Sequence, residues 1–186
     1  MRVFLILGIS LAALMMGGCS NENKTAEEAA TVSEVKQNSI DSNTAVAPAP
    51  APDLTRLPSF NLMDENGGTV NLQGLRNKKL FVNLWATWCP PCRREMPSIK
   101  KLYQSVDTSK VAFVMISLDD QFDKAKKYVL DQKLKLPVYY PAESLPPLFN
   151  VEGIPATFIF DEKGSLIKRI DGSADYDTKE YRELLK

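Results

Sequence analysis

The chain has 186 residues, 44% of them apolar and 25% charged, which suits one globular domain with a modest tail and argues against two domains. Lysine plus arginine equal aspartate plus glutamate at 23 each, so no bulk field would attract nucleic acid or an acidic membrane surface. We therefore expect a local site to select the partners, and no nucleic acid among them.

The amino terminus predicts export and a lipid anchor. Arg2 precedes an apolar run of 14 residues, shorter than the roughly 20 that a membrane-spanning helix needs. Two glycines directly before Cys19 resemble a bacterial lipobox, although Met16 stands where that pattern usually has leucine. Residues 1–18 are thus predicted to be a lipoprotein-type signal peptide, with lipidation of Cys19 and a mature protein outside the cytoplasm, where disulfides persist. The alternative is a plain secretory signal that happens to contain a cysteine.

Residues 19–57 are predicted to be a disordered, Ala/Pro-rich tether. They contain almost no aromatic residues and many Ala, Ser, Asn and Glu, too little apolar surface to fold. The alternating Ala and Pro of residues 47–52 favour extended polyproline geometry, which makes the last part of the tether a stiff spacer. Fully extended, the tether would reach on the order of 100 Å, at about 3.3 Å per residue.

The pattern changes at Pro58, and residues 58–186 are predicted to form the folded domain. Asn66-Gly67-Gly68 separates two stretches that alternate apolar and polar residues, which predicts an amino-terminal β-hairpin. Residues 79–86 and 110–118 are apolar at both phases of the alternation, as expected of central strands covered on both faces.

Helices and shorter strands are predicted in the rest of the domain. Helical spacing follows both central strands, on the stripes Met96, Ile99, Leu102 or Tyr103, Val106 and then Phe122, Ala125, Val129. A brief strand, "LPVYY", is followed by "ATFIF" and "SLIKRI", which flank the turn "DEKG" as an antiparallel hairpin. Residues 177–180 read as a capping box that opens a final helix, with Tyr181, Leu184 and Leu185 facing inward. This order predicts an α/β fold with a mixed central sheet flanked by helices.

The chemistry of the chain centres on the stretch "WCPPC", which contains Cys89 and Cys92. A structural zinc site needs four ligands, and the chain has no histidine and only one further cysteine, Cys19, so no metal is expected. Reduced copper could still use two thiolates, which leaves a Cu(I) carrier as an alternative. A purely structural disulfide would close a very small loop and stabilise little. A reversible dithiol explains the spacing better, because the second thiol can attack a mixed disulfide formed by the first.

The position of the pair predicts different roles for the two cysteines. Cys89 comes where a buried strand ends and the helical stripe begins, so the free N–H groups and dipole of a helix amino terminus would favour its thiolate. Pro90 and Pro91 remove two N–H donors, which makes the N–H of Cys92 the first one available. We therefore expect Cys89 to be the exposed nucleophile and Cys92 the more buried, resolving thiol.

The stretches "FVNLWATWCPPCRREMP" and "GIPATFIFDEKG" together resemble the membrane-tethered thioredoxin-like reductases of the TlpA, ResA and DsbE/CcmG group, over about residues 58–186. The resemblance implies a thioredoxin-like three-layer fold, an extracytoplasmic location and thiol-disulfide exchange in the reducing direction, often for cytochrome c maturation. Partners would be protein disulfide clients and an upstream membrane thiol donor, and no cofactor is expected.

The resemblance also assigns residues around the cysteines. Pro155 matches the family's cis-proline, which lies against the cysteine pair and would leave the Ile154 backbone free to pair with an extended partner segment. Glu95 matches an acid of the reductase group, and Asn83 stands where ordinary thioredoxins bury an aspartate. Because an amide cannot accept a proton, Glu95 is the candidate that manages the proton of Cys92. The alternative is a surface glutamate on the helix.

Three residues next to the cysteines, Trp88, Pro90 and Pro91, are expected to contact the partner, and Trp85 to fill the core. Pro97 is expected to bend the helix. A further alternative is a thiol peroxidase, because the hairpin-first layout also resembles peroxiredoxins. Their Thr-x-x-Cys arrangement is absent here, since Ala86 lies three residues before the first cysteine.

Overall fold

The computed structural model describes residues 51–186 of the protein. The predicted signal peptide, the lipidation at Cys19 and the tether up to residue 50 lie outside the described residues and stay predictions. Within the described range, no helix has both the length and the apolar character required to cross a bilayer.

Residues 51–186 form seven strands in one mixed sheet, in the order β2-β1-β5-β4-β3-β6-β7. Strands β3, β4 and β5 run parallel to one another, and the remaining pairs are antiparallel. The strands are β1 (Asn61–Asp64), β2 (Thr69–Asn71), β3 (Lys79–Trp85), β4 (Val111–Ser117), β5 (Val138–Pro141), β6 (Ala156–Phe160) and β7 (Leu166–Asp171). The helices are α1 (Pro90–Ser105), α2 (Phe122–Asp131) and α3 (Lys179–Leu184), with two 3-10 helices at Leu72–Leu75 and Pro147–Phe149.

Strands β3 and β4 lie at the centre because both of their faces are apolar. Alternate residues of β3 contribute to two separate cores, Phe81 and Trp85 to one and Leu80, Val82 and Leu84 to the other. All three α-helices pack on the first core, since two successive right-handed crossovers in one direction place α1 and α2 on the same face. The 3-10 helices and the chain before β1 cover the second core. The predicted thioredoxin-like fold with three layers is confirmed.

The amino-terminal hairpin is confirmed as β1 and β2. The N–H of Asp64 donates to the carbonyl oxygen of Gly68 at 2.8 Å, and Gly67 has a φ of 85°, which favours glycine. Contacts of the domain begin a few residues before Pro58. The N–H of Leu57 donates to the carbonyl oxygen of Gly164 at 2.7 Å, and the Leu57 side chain is buried.

The capping box predicted at residues 177–180 is wrong. Helix α3 begins at Lys179 with Thr178 as its N-cap, and the Thr178 side chain makes no capping hydrogen bond. The Asp177 carboxylate instead pairs with Lys101 at 3.0 Å and with Arg182 at 2.5 Å. The Asp177 carboxylate thus binds two cations and not the backbone N–H groups of the first turn of α3. Val106, the last residue of the first predicted helical stripe, is the C-cap of α1 and packs against the same core as the rest of the stripe.

Candidate active site

The redox pair lies where β3 ends and α1 begins. Cys89 is the N-cap of α1, and Pro90 and Pro91 occupy its first two positions, where the missing N–H groups cost no intrahelical bond. The N–H of Cys92 donates to Cys89 Sγ at 3.2 Å. The prediction that Cys92 supplies the first available donor is confirmed.

The two sulfurs form a disulfide, with an S–S distance of 2.06 Å. Cys89 exposes 3% of its surface and Cys92 none, so the expected order of exposure holds. The expectation of an exposed Cys89 is nevertheless wrong, because its side chain packs into the core that α1 and α2 share. A client must therefore contact the exposed residues on either side of Cys89, Trp88 and Pro90, to reach the sulfur.

The segment before β6 lies against this sulfur. The peptide bond between Ile154 and Pro155 is cis, as predicted. The carbonyl oxygen of Ile154 lies 3.6 Å from Cys89 Sγ, and within residues 51–186 the Ile154 N–H has no hydrogen-bond partner. An extended segment beside the sulfur would find these two backbone groups within reach.

Glu95 is buried, with 2% of its surface exposed, so the surface alternative for this residue is wrong. It lies three residues after Cys92 on the inward face of α1. Burial raises the pKa of the Glu95 carboxyl to about 7, and hydrogen bonds from Asn83, the Ala174 N–H and Ser173 offset only part of this effect. The carboxyl can therefore gain or lose a proton near neutral pH.

A chain of polar side chains continues from Glu95 into the core. The amide Nδ2 of Asn83 lies 2.9 Å from Glu95 Oε1 and 2.9 Å from Thr157 Oγ1, and Thr157 Oγ1 lies 2.7 Å from the Tyr176 hydroxyl. All four side chains are buried, and within residues 51–186 Asn83 Oδ1 has no hydrogen-bond partner. Sequence reasoning found Asn83 and Glu95 but missed Thr157 and Tyr176. Thr157 stands opposite Asn83 in the β3–β6 pairing, a register that no local pattern reveals.

A second buried carboxyl, Asp119, holds the turn that leads into the redox pair. Its oxygens accept the Thr87 N–H at 3.1 and 3.2 Å, the Thr87 hydroxyl at 2.6 Å and the Ser117 hydroxyl at 2.8 Å. Because Thr87 lies two residues before Cys89, these bonds fix the path of the chain toward the sulfur. Sequence reasoning did not single out Asp119, although it follows the carboxyl end of β4, beside the end of β3.

The two tryptophans occupy the places expected of them. Trp85 is buried and its ring lies 5.7 Å from that of Tyr128, whereas Trp88 exposes 63% of its surface. A groove of about 320 Å³ runs from Trp88 to Ile154, lined also by Leu118, Leu145, Phe149, Asn150, Val151 and Gly153. Within residues 51–186, no cluster of three or more His, Cys, Asp or Glu side chains could hold a metal ion.

Comparison with known proteins places this arrangement in a family. The redoxin family model matches residues 50–185. The thiol-disulfide oxidoreductase ResA of Bacillus cereus is 31% identical over 127 residues, which are 68% of this chain and 72% of the relative. The chain belongs to the redoxin family, among thiol-disulfide oxidoreductases of the ResA type.

Solved structures agree with this assignment of the redoxin. A thiol:disulfide interchange protein of the thioredoxin family from Chlorobium tepidum is 28% identical, with a TM-score of 0.61 over 73% of this chain and 98% of that one. StoA from Bacillus subtilis is 22% identical, with a TM-score of 0.57 over 69% of this chain and 100% of that one, and shows the shared fold. The redoxin is therefore an enzyme of thiol-disulfide exchange, and Cys89 and Cys92 are its CxxC pair.

Proposed function

We propose that this redoxin reduces protein disulfides outside the cytoplasm, held to a bacterial membrane by a lipid on Cys19. The observation that carries the reducing direction is the hydrogen bonding of Cys89. Within residues 51–186, its sulfur receives one backbone N–H, that of Cys92, because Pro90 and Pro91 have none to give. The Ile154 carbonyl oxygen on its other side disfavours negative charge. With one donor instead of the several that a helix amino terminus can offer, the Cys89 thiolate is stabilised less than in strong oxidants of this kind, which owe their potential to a stabilised reduced form.

The reaction runs through one mixed disulfide. The Cys89 thiolate attacks a sulfur of the client disulfide, which forms the bond between Cys89 and the client and releases the other client sulfur as a thiolate. Cys92 then attacks Cys89 Sγ, which closes the intramolecular disulfide and releases the second client thiolate. Two electrons pass from the dithiol to the client, whose two sulfurs take up protons.

Glu95 is the group proposed to accept the proton of Cys92. Cys92 must be a thiolate to attack, and it is fully buried, where the neutral thiol is favoured. Glu95 lies one helical turn away on the same inward face, and its carboxyl has a pKa of about 7. Its ionised form can thus take the proton near neutral pH, and its protonated form can return one in the reverse direction.

The partners follow from the surface around the sulfur. Trp88 and Pro90 are exposed, Pro91 is half-buried, and the Ile154 backbone beside Pro155 is open to an extended segment. We propose protein disulfide clients at this surface, cytochrome c precursors among them, and a membrane dithiol that reduces the Cys89–Cys92 disulfide after each turnover.

Two experiments test this proposal. Equilibration of the full chain with dithiol couples of known potential should give a reduction potential below about −200 mV, and a value well above about −150 mV would make the protein an oxidant. In cells, a Cys92→Ser variant should accumulate mixed disulfides through Cys89, and mass spectrometry of the trapped proteins would identify the clients. Trapped proteins without any c-type cytochrome precursor would contradict that part of the proposal.

The location has its own test. Metabolic labelling with a fatty acid should mark the wild-type protein and leave a Cys19→Ala variant unlabelled. Cleavage by a protease added to intact spheroplasts should show the domain outside the cytoplasmic membrane. Unlabelled wild-type protein would contradict the lipid anchor, and full protection from the protease would contradict the extracytoplasmic location.

A further inference from the structure

A cleft of about 410 Å³ lies beside the redox pair, between α1 and α2. It is lined by Pro90, Arg93 and Arg94 of α1 and by Tyr128 and Gln132 of α2 and its C-cap. Pro90 directly follows Cys89, so the cleft is continuous with the surface that a client must cover. Each of its four polar side chains can donate a hydrogen bond to an anion.

The two arginines have no counterion in the described structure. Arg93 and Arg94 are exposed, and none of the ion pairs within residues 51–186 includes either of them. Three carboxylates on or next to α2 form ion pairs, and each of them is paired with a lysine of α2. These pairs are Asp120 with Lys124, Asp123 with Lys126 and Asp131 with Lys127.

The helix ends do not cancel this charge. The carboxyl end of α2 reaches the cleft at its C-cap Gln132 and contributes about half a negative charge, and the amino end of α1 contributes about half a positive one. The cleft therefore keeps close to two positive charges. A second cleft, lined in part by Ile154 and Pro155, contains the exposed Glu152 together with the ion pair of Arg169 and Asp171. The two clefts next to the redox centre thus differ in the sign of their charge.

We propose that the cleft between α1 and α2 binds an acidic side chain of the disulfide client, next to the cysteine that Cys89 attacks. This inference rests on the proposed function, since it assigns a preference to the same redox centre. The client's backbone would pair with Ile154 while its carboxylate reaches the guanidinium groups of Arg93 and Arg94. An arginine fork suits a carboxylate because two N–H groups can meet its two oxygens.

We expect the positive cleft to increase the rate of association with an acidic client more than the affinity of the final complex. Exposed ion pairs contribute little to affinity, but complementary charge speeds association and is screened by salt. The reduced protein should therefore react faster with acidic disulfides at low ionic strength. That advantage should shrink when the Debye length falls from about 30 Å at 0.01 M to about 3 Å at 1 M salt.

The test uses two peptides that contain one disulfide each and differ only in having three aspartates or three lysines beside one cysteine. The reduced full chain is mixed with each peptide, and the rate is followed by the fluorescence of its tryptophans. Each rate is divided by that of dithiothreitol with the same peptide, which removes the intrinsic effect of peptide charge on reactivity. We expect a normalised preference of about tenfold for the acidic peptide at 0.01 M salt and less than about twofold at 0.5 M.

The variants locate the source of the preference. Arg93→Gln/Arg94→Gln should reduce the preference to about onefold while the reaction with a neutral disulfide stays unchanged. The matched control, Lys110→Gln/Lys163→Gln, removes the same net charge at the opposite end of the sheet and should keep the preference. Arg93→Glu/Arg94→Glu, which replaces the two positive charges of the cleft by two negative ones, should favour the lysine peptide.

Each other outcome overturns the inference. Equal normalised rates for the two wild-type peptides would do so, and so would a preference that survives the double arginine variant or disappears in the lysine control. Lower thermal stability of the double variant with an unchanged preference would mean that the arginines only offset the carboxyl end of α2. If no disulfide is reduced at all, the proposed function itself fails, a result distinct from equal rates.

Discussion

The amide nitrogen of Asn83 lies 2.9 Å from Glu95 Oε1, so the carboxyl next to the redox pair faces a group that can donate a hydrogen bond but cannot exchange a proton. This bond favours the ionised carboxyl, whereas burial favours the protonated one, and burial has the larger effect. Of these two side chains, Glu95 is therefore the one that can gain or lose a proton. The account of catalysis depends on this pairing of an amide with an acid.

Replacement of Glu95 by Gln should slow the resolution of the mixed disulfide by about a hundredfold, the usual size of a general acid–base contribution. The wild-type rate should rise with pH through about 7, because the ionised carboxyl accepts the proton of Cys92. The variant should lose that rise. Stopped-flow measurement of client thiol release between pH 5 and 9 checks both, with Glu162→Gln as an exposed control. An unchanged pH profile in Glu95→Gln would remove Glu95 from the mechanism.

Folding stability should fall with pH because of the same residue. The Glu95 carboxyl has an ordinary pKa of 4.5 and a folded-state pKa of about 7, so the folded state holds a proton that the unfolded state has lost between these values. The contribution is fully present below pH 4.5 and is lost as pH rises through 7. From pH 5 to pH 8 the wild type should lose about 2.5 kcal/mol more than Glu95→Gln. Urea unfolding at the two pH values measures this, and equal losses would contradict the buried, protonated carboxyl.

The hydroxyl of Tyr176 should contribute about 1 kcal/mol to folding, the usual net value of a buried hydrogen bond. It lies 2.7 Å from Thr157 Oγ1, at the far end of the chain from Glu95. Tyr176→Phe keeps the ring contacts with Phe81 and Tyr181 and removes this bond alone. Urea unfolding compares it with Tyr103→Phe, whose hydroxyl has no partner within residues 51–186. Equal stability of the two variants would exclude the predicted contribution.

Asp119→Asn should loosen the turn before Cys89. The change places an amide N–H₂ where Thr87 and Ser117 need acceptors, and it should destabilise the fold by about 2 kcal/mol. Exchange of the Thr87 amide hydrogen should speed up by at least about tenfold, while amides of β1 and β2 keep their rates. The control Asp120→Asn alters an exposed carboxylate next in sequence and should leave both quantities unchanged. Slow exchange at Thr87 in the Asp119 variant would contradict the role.

The sequence predicted the parts of the structure that depend on local pattern. Strand β3 is apolar at both phases, the hairpin has glycine where φ is positive, and the two prolines leave one N–H for the sulfur. The parts it missed depend on contacts between distant residues. Asn83 and Thr157 are 74 residues apart, and the loop that supplies the Ala174 N–H to Glu95 lies 79 residues from it.

Two wrong predictions have the same origin. The capping box at residues 177–180 fits the local rule, but the Asp177 carboxylate forms an ion pair with Lys101 of α1. The position of Cys89 at a helix amino terminus predicted exposure, but packing between α1 and α2 buries it. Local rules gave the order of exposure of the two cysteines correctly and the exposure of Cys89 itself incorrectly.

The most direct test of the account is the order in which the two active-site thiols react. The reduced full chain is treated with a limiting amount of iodoacetamide near pH 7, and peptide mass spectrometry distinguishes Cys89, Cys92 and Cys19. We expect Cys89 to be alkylated first and Cys92 to react slowly. Faster alkylation of Cys92 would contradict the assignment of Cys89 as the attacking sulfur.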